Sequence, residues 1–316
     1  MVDYTLGLHE VADGVRAWLA PDGGWGLSNA GLISGEGESF LIDTLFDYDL
    51  TRTMLSAMQP ITNSAPIVAA LNTHANGDHT FGNSLLDTSV RIHATTHTGH
   101  EMHDIPPKMI KELVEADLGP VLSDYMSHCF GAFNFEGVEL RDPDVTFDDE
   151  IAVTVGGRDV RLVELAPAHT HGDSVAFVPD TGVLFGGDLL FIGGTPISWS
   201  GAVDNWISAC DRMVSWDPQV VVPGHGPVVG VDGIAEVRAY LCHVRDYVAS
   251  TIAEGLPWLE AVDRIDLDRF ASLHASERII VTTYQMYRAA LPETAEVGIV
   301  ELFGHAASWR AARGAA

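Results

Sequence analysis

Four short clusters of histidine and aspartate, each set directly after an apolar run, constrain this chain more than any other feature of its sequence. The first is Thr73-His74-Ala75-Asn76-Gly77-Asp78-His79, which follows PIVAALN. The second is Ala166-Pro167-Ala168-His169-Thr170-His171-Gly172-Asp173, again behind an apolar run. The third is Asp188 at the end of GVLFGGD, and the fourth is His225 in PGHG after QVVVP. Short runs rich in β-branched residues and bounded by Gly, Pro or Asn read as strands. Side chains at strand ends sit on loops held by a rigid scaffold, so clusters far apart in sequence converge in one cleft.

The rest of the chain supplies a scaffold of that kind. From Val15 to Leu45 it reads as short strands separated by turns: VRAWLA, Pro21-Asp22-Gly23-Gly24, NAGLISG, Gly35-Glu36-Gly37 and SFLIDTL. Leu50, Met54, Leu55 and Met58 repeat at helical spacing, and PIVAALNT is a buried strand. Gly99 to Leu118 reads as a helix broken at Pro106 and Pro107. Strands return at IAVTV, VRLVELAP, SVAFVPD and GVLFGGD, and Val203, Trp206, Ile207, Cys210 and Val214 form one apolar helical face before QVVVP. Beyond about Ala235 only helices are predicted. With no repeat, low-complexity segment or long linker, the chain is expected to form an α/β domain over residues 1–234 and a helical extension over 235–316 packed on it. Packing on the domain is the simplest cover for the apolar faces of that extension, and a homo-oligomer interface would serve equally.

At 316 residues, 47% hydrophobic and 19% charged, the chain has enough apolar surface for a sizeable core. Its 17 Lys and Arg face 44 Asp and Glu, a net charge of -27 that repels phosphodiester backbones and anionic membrane surfaces. The expected partner is therefore a small-molecule substrate, not nucleic acid or membrane. Cys129, Cys210 and Cys242 are widely spaced without a C-x-x-C pair, which predicts buried thiols. The segment MVDYTLGLHEVADGVRAWLA carries acids where a leader has a basic start, and no run approaches the roughly 18 apolar residues of a membrane span. A cytoplasmic location is the default expectation.

Imidazole nitrogen together with carboxylate oxygen suits zinc, and also iron or manganese, while the lack of local cysteine ligands argues against a purely structural zinc. In this arrangement the sequence resembles the metallo-β-lactamase-like superfamily, whose signature runs H-x-H-x-D-H, then a later His, a later Asp and a final His. Here those positions read His74, Asn76, Asp78, His79, His169, Asp188 and His225, and the resemblance spans about Asn29 to Gly226. It implies an αββα sandwich, two mixed β-sheets face to face with helices outside and a metal site at one edge. It also implies one metal on His74 and His169, another on Asp78, His79 and His225, and Asp188 bridging.

Asn76 departs from that pattern, because an amide oxygen is a poorer zinc ligand than an imidazole nitrogen. Three arrangements stay open: two metals with Asn76 contributing oxygen, one metal on Asp78, His79, His225 and Asp188, or replacement of Asn76 by His171. The single metal is favoured, with His171 read first as a pocket-wall or supporting residue. His171 lies two residues from His169, so both point to one face of an extended segment. A metal with an open position lowers the pKa of a bound water to about 7. The implied chemistry is attack of that hydroxide on an ester-like, lactone or thioester bond, with Asp78 as the catalytic group that orients the water or carries a proton.

Trp25, in a Gly-rich turn, and Trp199 are candidate pocket walls, with ordinary packing an equal explanation. His93, His97, His100 and His103 are read as histidines of a solvent-facing helix, and Asp142, Asp144, Asp148 and Asp149 as an acidic turn without calcium-loop spacing. Two further function classes compete with hydrolysis: a non-hydrolytic metal enzyme (lyase, cyclase or iron-dependent oxygenase) on the same fold, and a metal-poor binding protein.

Overall fold

The computed structural model describes residues 2–21 and 23–313. The first strands form an antiparallel meander, β1 (Gly7–Ala12), β2 (Val15–Leu19), β3 (Ala30–Ser34) and β4 (Ser39–Ile42). Between β1 and β2 the chain reverses at Asp13-Gly14, where Gly14 takes a φ of 68° that a side chain would strain. Helix α1 (Tyr48–Thr62) then carries the chain across to β5 (Ile67–Leu71), which pairs parallel to β4. Its start is capped by Asp47, whose carboxylate accepts from the Leu50 amide at 2.8 Å. Two further parallel strands, β6 (Arg91–Thr95) and β7 (Val145–Phe147), complete a seven-stranded mixed sheet in sequential order.

Between β5 and β7 lie the short helices α2 (Gly77–Thr80), α3 (Thr96–Glu101), α4 (Pro107–Glu115) and α5 (Pro120–Phe130). Pro106 caps α4 and Pro107 opens it, so the two prolines begin a helix at the point where the sequence predicted a break. His93 is a residue of β6, not of a helix, and it is buried with its ring against the Ala70 and Arg91 carbonyls. His103 stays exposed and pairs with Asp142.

The second sheet holds β8 (Glu150–Val155), β9 (Arg158–Glu164), β10 (Ser174–Val178), β11 (Val183–Phe185) and β12 (Val220–Val222), in the spatial order β12-β11-β10-β9-β8. Helix α6 (Val203–Ser215) links β11 to its parallel neighbour β12, and the other pairings are antiparallel. Its buried face includes Trp206, Cys210 and Met213, while Val214, expected inside, is 37% exposed.

The two sheets meet face to face through Ile33, Phe40 and Leu71 on one side and Leu162, Val178 and Phe185 on the other. Outside the first sheet, Met54 and Met58 of α1 cover Leu32, Leu41 and Ile92. Outside the second, α6 and α7 (Val231–Ala253) cover Val163, Val175 and Leu184. This is an αββα sandwich. The helices α8 (Trp258–Arg264), α9 (Ile279–Ala290) and α10 (Ile299–Arg313) join the same apolar cluster, α10 resting on α5. Helix α7 begins at Val231, directly after Gly230 with its extended backbone.

Candidate metal centre

Strands β4, β5, β9, β11 and β12 all present their carboxyl ends to one edge of the sandwich. His74 follows β5, and Asp78 and His79 lie in the short α2 just beyond it. His169 sits in the turn after β9, Asp188 in the turn after β11, and His225 after β12. The two sheet edges are tied together where Ser174 donates both its amide and its hydroxyl to the Thr73 carbonyl, at 2.8 and 3.1 Å. Asn29 anchors the last loop, its amide nitrogen donating to the carbonyls of Pro223 and Gly226. That loop passes so close that a Cβ on Gly224 would stand 2.0 Å from Asp188 Oδ1.

The six side chains form two buried groups, His74 with His169 and Asp188, and Asp78 with His79 and His225, each with its ligand atoms within 4.8 Å of one another. Asp188 stands between the groups. Its Oδ1 is 3.1 Å from His79 Nε2, and its Oδ2 is 3.3, 3.5 and 3.8 Å from the Nε2 atoms of His225, His169 and His74. Ligand atoms held about 2.0–2.2 Å from a tetrahedral zinc stand about 3.3–3.6 Å apart, so this spacing suits a metal between them. Buried His74 Nε2, His79 Nε2, His169 Nε2 and Asp188 Oδ1 make no hydrogen bond within the protein, as expected of atoms whose partner is an ion.

Supporting hydrogen bonds fix which nitrogen faces inward. His79 Nδ1 donates to Asp43 Oδ2 at 2.9 Å and His169 Nδ1 to the Ile197 carbonyl at 2.6 Å, leaving each Nε2 lone pair for the centre. Asp43 is itself held by the Thr73 amide and hydroxyl, both at 2.8 Å. Asp43 is not among the residues expected from the sequence, although an aspartate closing the strand SFLI is the same strand-end signal that marks the other candidate ligands. His225 is oriented by Phe191, which stacks on it with ring centroids 5.1 Å apart and planes within 1°.

The electrostatics match this geometry. Burial resists charge on Asp78, yet His79 and His225 beside it pull its pKa down to about 2. Burial likewise opposes ionisation of Asp188, which His225, His79 and His74 hold well below the ordinary carboxylate range. Burial and the neighbouring His79 keep His74 well below the ordinary imidazole value, in the neutral form that ligates metals. Burial lowers His79 too, but Asp188, Asp78 and Asp43 outweigh it and raise its pKa well above the ordinary value. Buried carboxylates therefore demand positive charge here, and they raise the pKa values of His79 and His225 beside them.

A cavity of about 300 Å³ opens onto the centre. Asn76 lines it, half-buried at the start of α2. His171 also lines it, but its side chain is 54% exposed and its Nδ1 bonds Glu101 Oε1 at 2.5 Å, so it too stands outside both groups. Trp25 and Trp199 are both wall residues. Trp25 packs against Phe130 and Phe303 and bonds Glu277 Oε1 at 3.4 Å, while the Trp199 indole N–H is buried without a partner in the protein. Asp22, in the turn leading to Trp25, lies outside the described residues.

A family model of the metallo-β-lactamase superfamily matches residues 23–225. Among solved structures, the stereoselective inverting sec-alkylsulfatase Pisa1 from Pseudomonas sp. superposes with a TM-score of 0.71 at 17% identity, over 94% of this chain and 53% of that one. The chain thus spans about half the length of that protein. A metallo-β-lactamase from Pontibacter korlensis superposes with a TM-score of 0.56 at 19% identity, over 75% of this chain and 99% of that one. The DIM-1 metallo-β-lactamase gives 0.55 at 19% identity, over 76% and 98%. No protein of curated function matches the chain. The buried His and Asp groups can hold metal and the family match covers more than half of the sequence: the chain belongs to the metallo-β-lactamase superfamily.

Proposed function

We propose that the protein hydrolyses an ester-like, lactone or thioester bond in a small, largely apolar substrate, with two metal positions at the sandwich edge. The observation that supports this most is the pair of three-residue ligand groups sharing Asp188 beneath an apolar cavity. Each group brings three ligand atoms together without His171, which favours two metals over the single one expected from the sequence. Zinc, or iron or manganese in its place, would supply a Lewis acid for the carbonyl and lower a water's pKa to about 7.

His74, His169 and Asp188 would hold one ion, and Asp78, His79 and His225 the other. Asp78 lines the cavity with its Oδ2 3.4 Å from His225 Nε2 and 3.8 Å from His79 Nε2. A carboxylate held down to about 2 accepts a proton contact and does not donate one, so Asp78 orients the attacking water from Oδ2. Apolar walls built from Met102, Met109, Ile110, Phe130 and Phe303 exclude bulk water and receive the hydrocarbon part of the substrate.

Two measurements test this reading. Elemental mass spectrometry on protein purified without added metal should find two ions per chain, most simply zinc; iron would move an oxidative reaction ahead of hydrolysis. Medium-chain aryl esters, lactones and thioesters should be turned over in a metal-dependent way. Protein that takes up no metal, or metal-loaded protein inert on all three classes, overturns the proposal.

A further inference from the structure

We infer that Arg278 forms an anion subsite, holding a carboxylate, sulfate or phosphate monoester carried by an otherwise apolar substrate. The inference rests on the cavity being the substrate pocket, as proposed above. Arg278 is 2% exposed and lines that cavity. Its guanidinium carbon lies 4.4 Å from the Trp25 ring centroid and 5.3 Å from that of Phe191, so two aromatic faces clamp it.

A buried charge is ordinarily paired. No carboxylate among the described residues lies within 4.0 Å of Arg278; one carbonyl, that of Thr195, accepts from its Nη1 at 3.4 Å, and Nε makes no hydrogen bond within the protein. The adjacent Glu277, also buried, forms no ion pair with it; its Oε1 accepts from Tyr125 at 3.1 Å and from Trp25 at 3.4 Å. A guanidinium offers a planar fork of donors matched to two oxygens of an oxyanion. The clamp also sets its place relative to the metal centre. Phe191 stands between them, its ring 5.1 Å from that of His225 and 5.6 Å from that of His169. An anionic group on Arg278 therefore lies one ring away from the ligand cluster, with the apolar wall of Met102, Met109 and Ile110 left for its hydrocarbon.

The test is binding, measured by titration calorimetry on metal-loaded protein with decyl sulfate, decanoate and decanol, all below their aggregation limits. The wild type should bind at least one of the two anions about 10- to 100-fold more tightly than decanol, the range of a charge-assisted hydrogen-bonded pair, and the tighter anion identifies the preferred headgroup. Arg278→Gln should bring that preference to within about threefold of unity with decanol affinity unchanged. Arg278→Lys, which keeps the charge and loses the fork, should reduce the preference without abolishing it. A wild type without preference overturns the inference. So does Arg278→Gln that keeps the preference, since the metals then hold the anion, or that weakens decanol equally, since Arg278 then only shapes the cavity. If Arg278→Gln fails to fold, an unchanged preference in Arg278→Lys overturns it. Turnover of neutral esters plays no part in these readings, so the hydrolase proposal and the subsite stand or fall separately.

Discussion

Replacing Asp43 by Asn changes one oxygen for an NH₂ group in a site where every contact is assigned. Asp43 accepts three times: from the Thr73 amide at 2.8 Å, the Thr73 hydroxyl at 2.8 Å and His79 Nδ1 at 2.9 Å. An asparagine has one acceptor oxygen, so either orientation sets its NH₂ against a donor. If the amide faces His79, the ring must carry its proton on Nε2, the atom that faces Asp188, and it can no longer ligate. Loss of such a carboxylate partner weakens metal binding about 10- to 100-fold, or about 1.4–2.7 kcal/mol. If the amide turns to the Thr73 N–H, that buried donor is left unpaired at a cost of about 1–3 kcal/mol of stability, which at about 2 °C per kcal/mol lowers Tm by about 2–6 °C. Competition titration with a metallochromic indicator and a thermal melt of the metal-free protein separate the two. In the first case the ion on His79 weakens most, since His79 bonds Asp43 directly while His74 reaches it only through the Thr73 hydroxyl, 3.2 Å from His74 Nδ1. A variant whose metal affinities stay within about threefold and whose Tm stays within about 1 °C refutes the assignment of Asp43 as the group that orients His79.

Three other outcomes are expected. Gly224→Ala should abolish binding of at least one metal by elemental analysis, because its Cβ would stand 2.0 Å from Asp188 Oδ1 and 2.7 Å from the Gly187 carbonyl carbon, neither the end of a flexible side chain. Asn76→Ala and His171→Ala should each retain the full metal content of the wild type; the His171 change should also cost less than about 1 kcal/mol in denaturant melts, since its pair with Glu101 is open to solvent on the histidine side. Chelation should lower Tm, because an ion present at about 100 times its Kd stabilises the native state by about 2.7 kcal/mol; equal melts with and without chelator would count against a metal held by these residues.

Much of this protein was legible in the chain, because the signals involved are local. Alternating and apolar runs marked the strands from β2 to β5 and from β8 to β12, and residues immediately behind four of them marked His74, Asp78, His79, His169, Asp188 and His225. Strand β6 was not legible: RIHAT is only five residues long and holds both Arg and His, so its period is masked and His93 was assigned to a helix. The face of α6 was nearly right, with Met213 inside where Val214 was expected, since hydrophobicity alone does not resolve one step around a helix. The exclusion of His171 from the ligand groups depends on Glu101, 70 residues away, and the role of Asp43 depends on His79, 36 residues away.

Sequence alone thus marked the candidate ligand residues and the strand ends behind which they lie, because strand periodicity and the residue after a strand are nearest-neighbour properties. Tertiary structure decided the distances that set Asp188 between the two groups, the tautomers set by Asp43 and the Ile197 carbonyl, and the placing of Arg278 between Trp25 and Phe191. The physical reason is that hydrogen bonding and pairing of buried charge act over a few ångströms in space and are blind to separation along the chain. Trp25 and Glu277 touch across 252 residues, a contact no local pattern encodes.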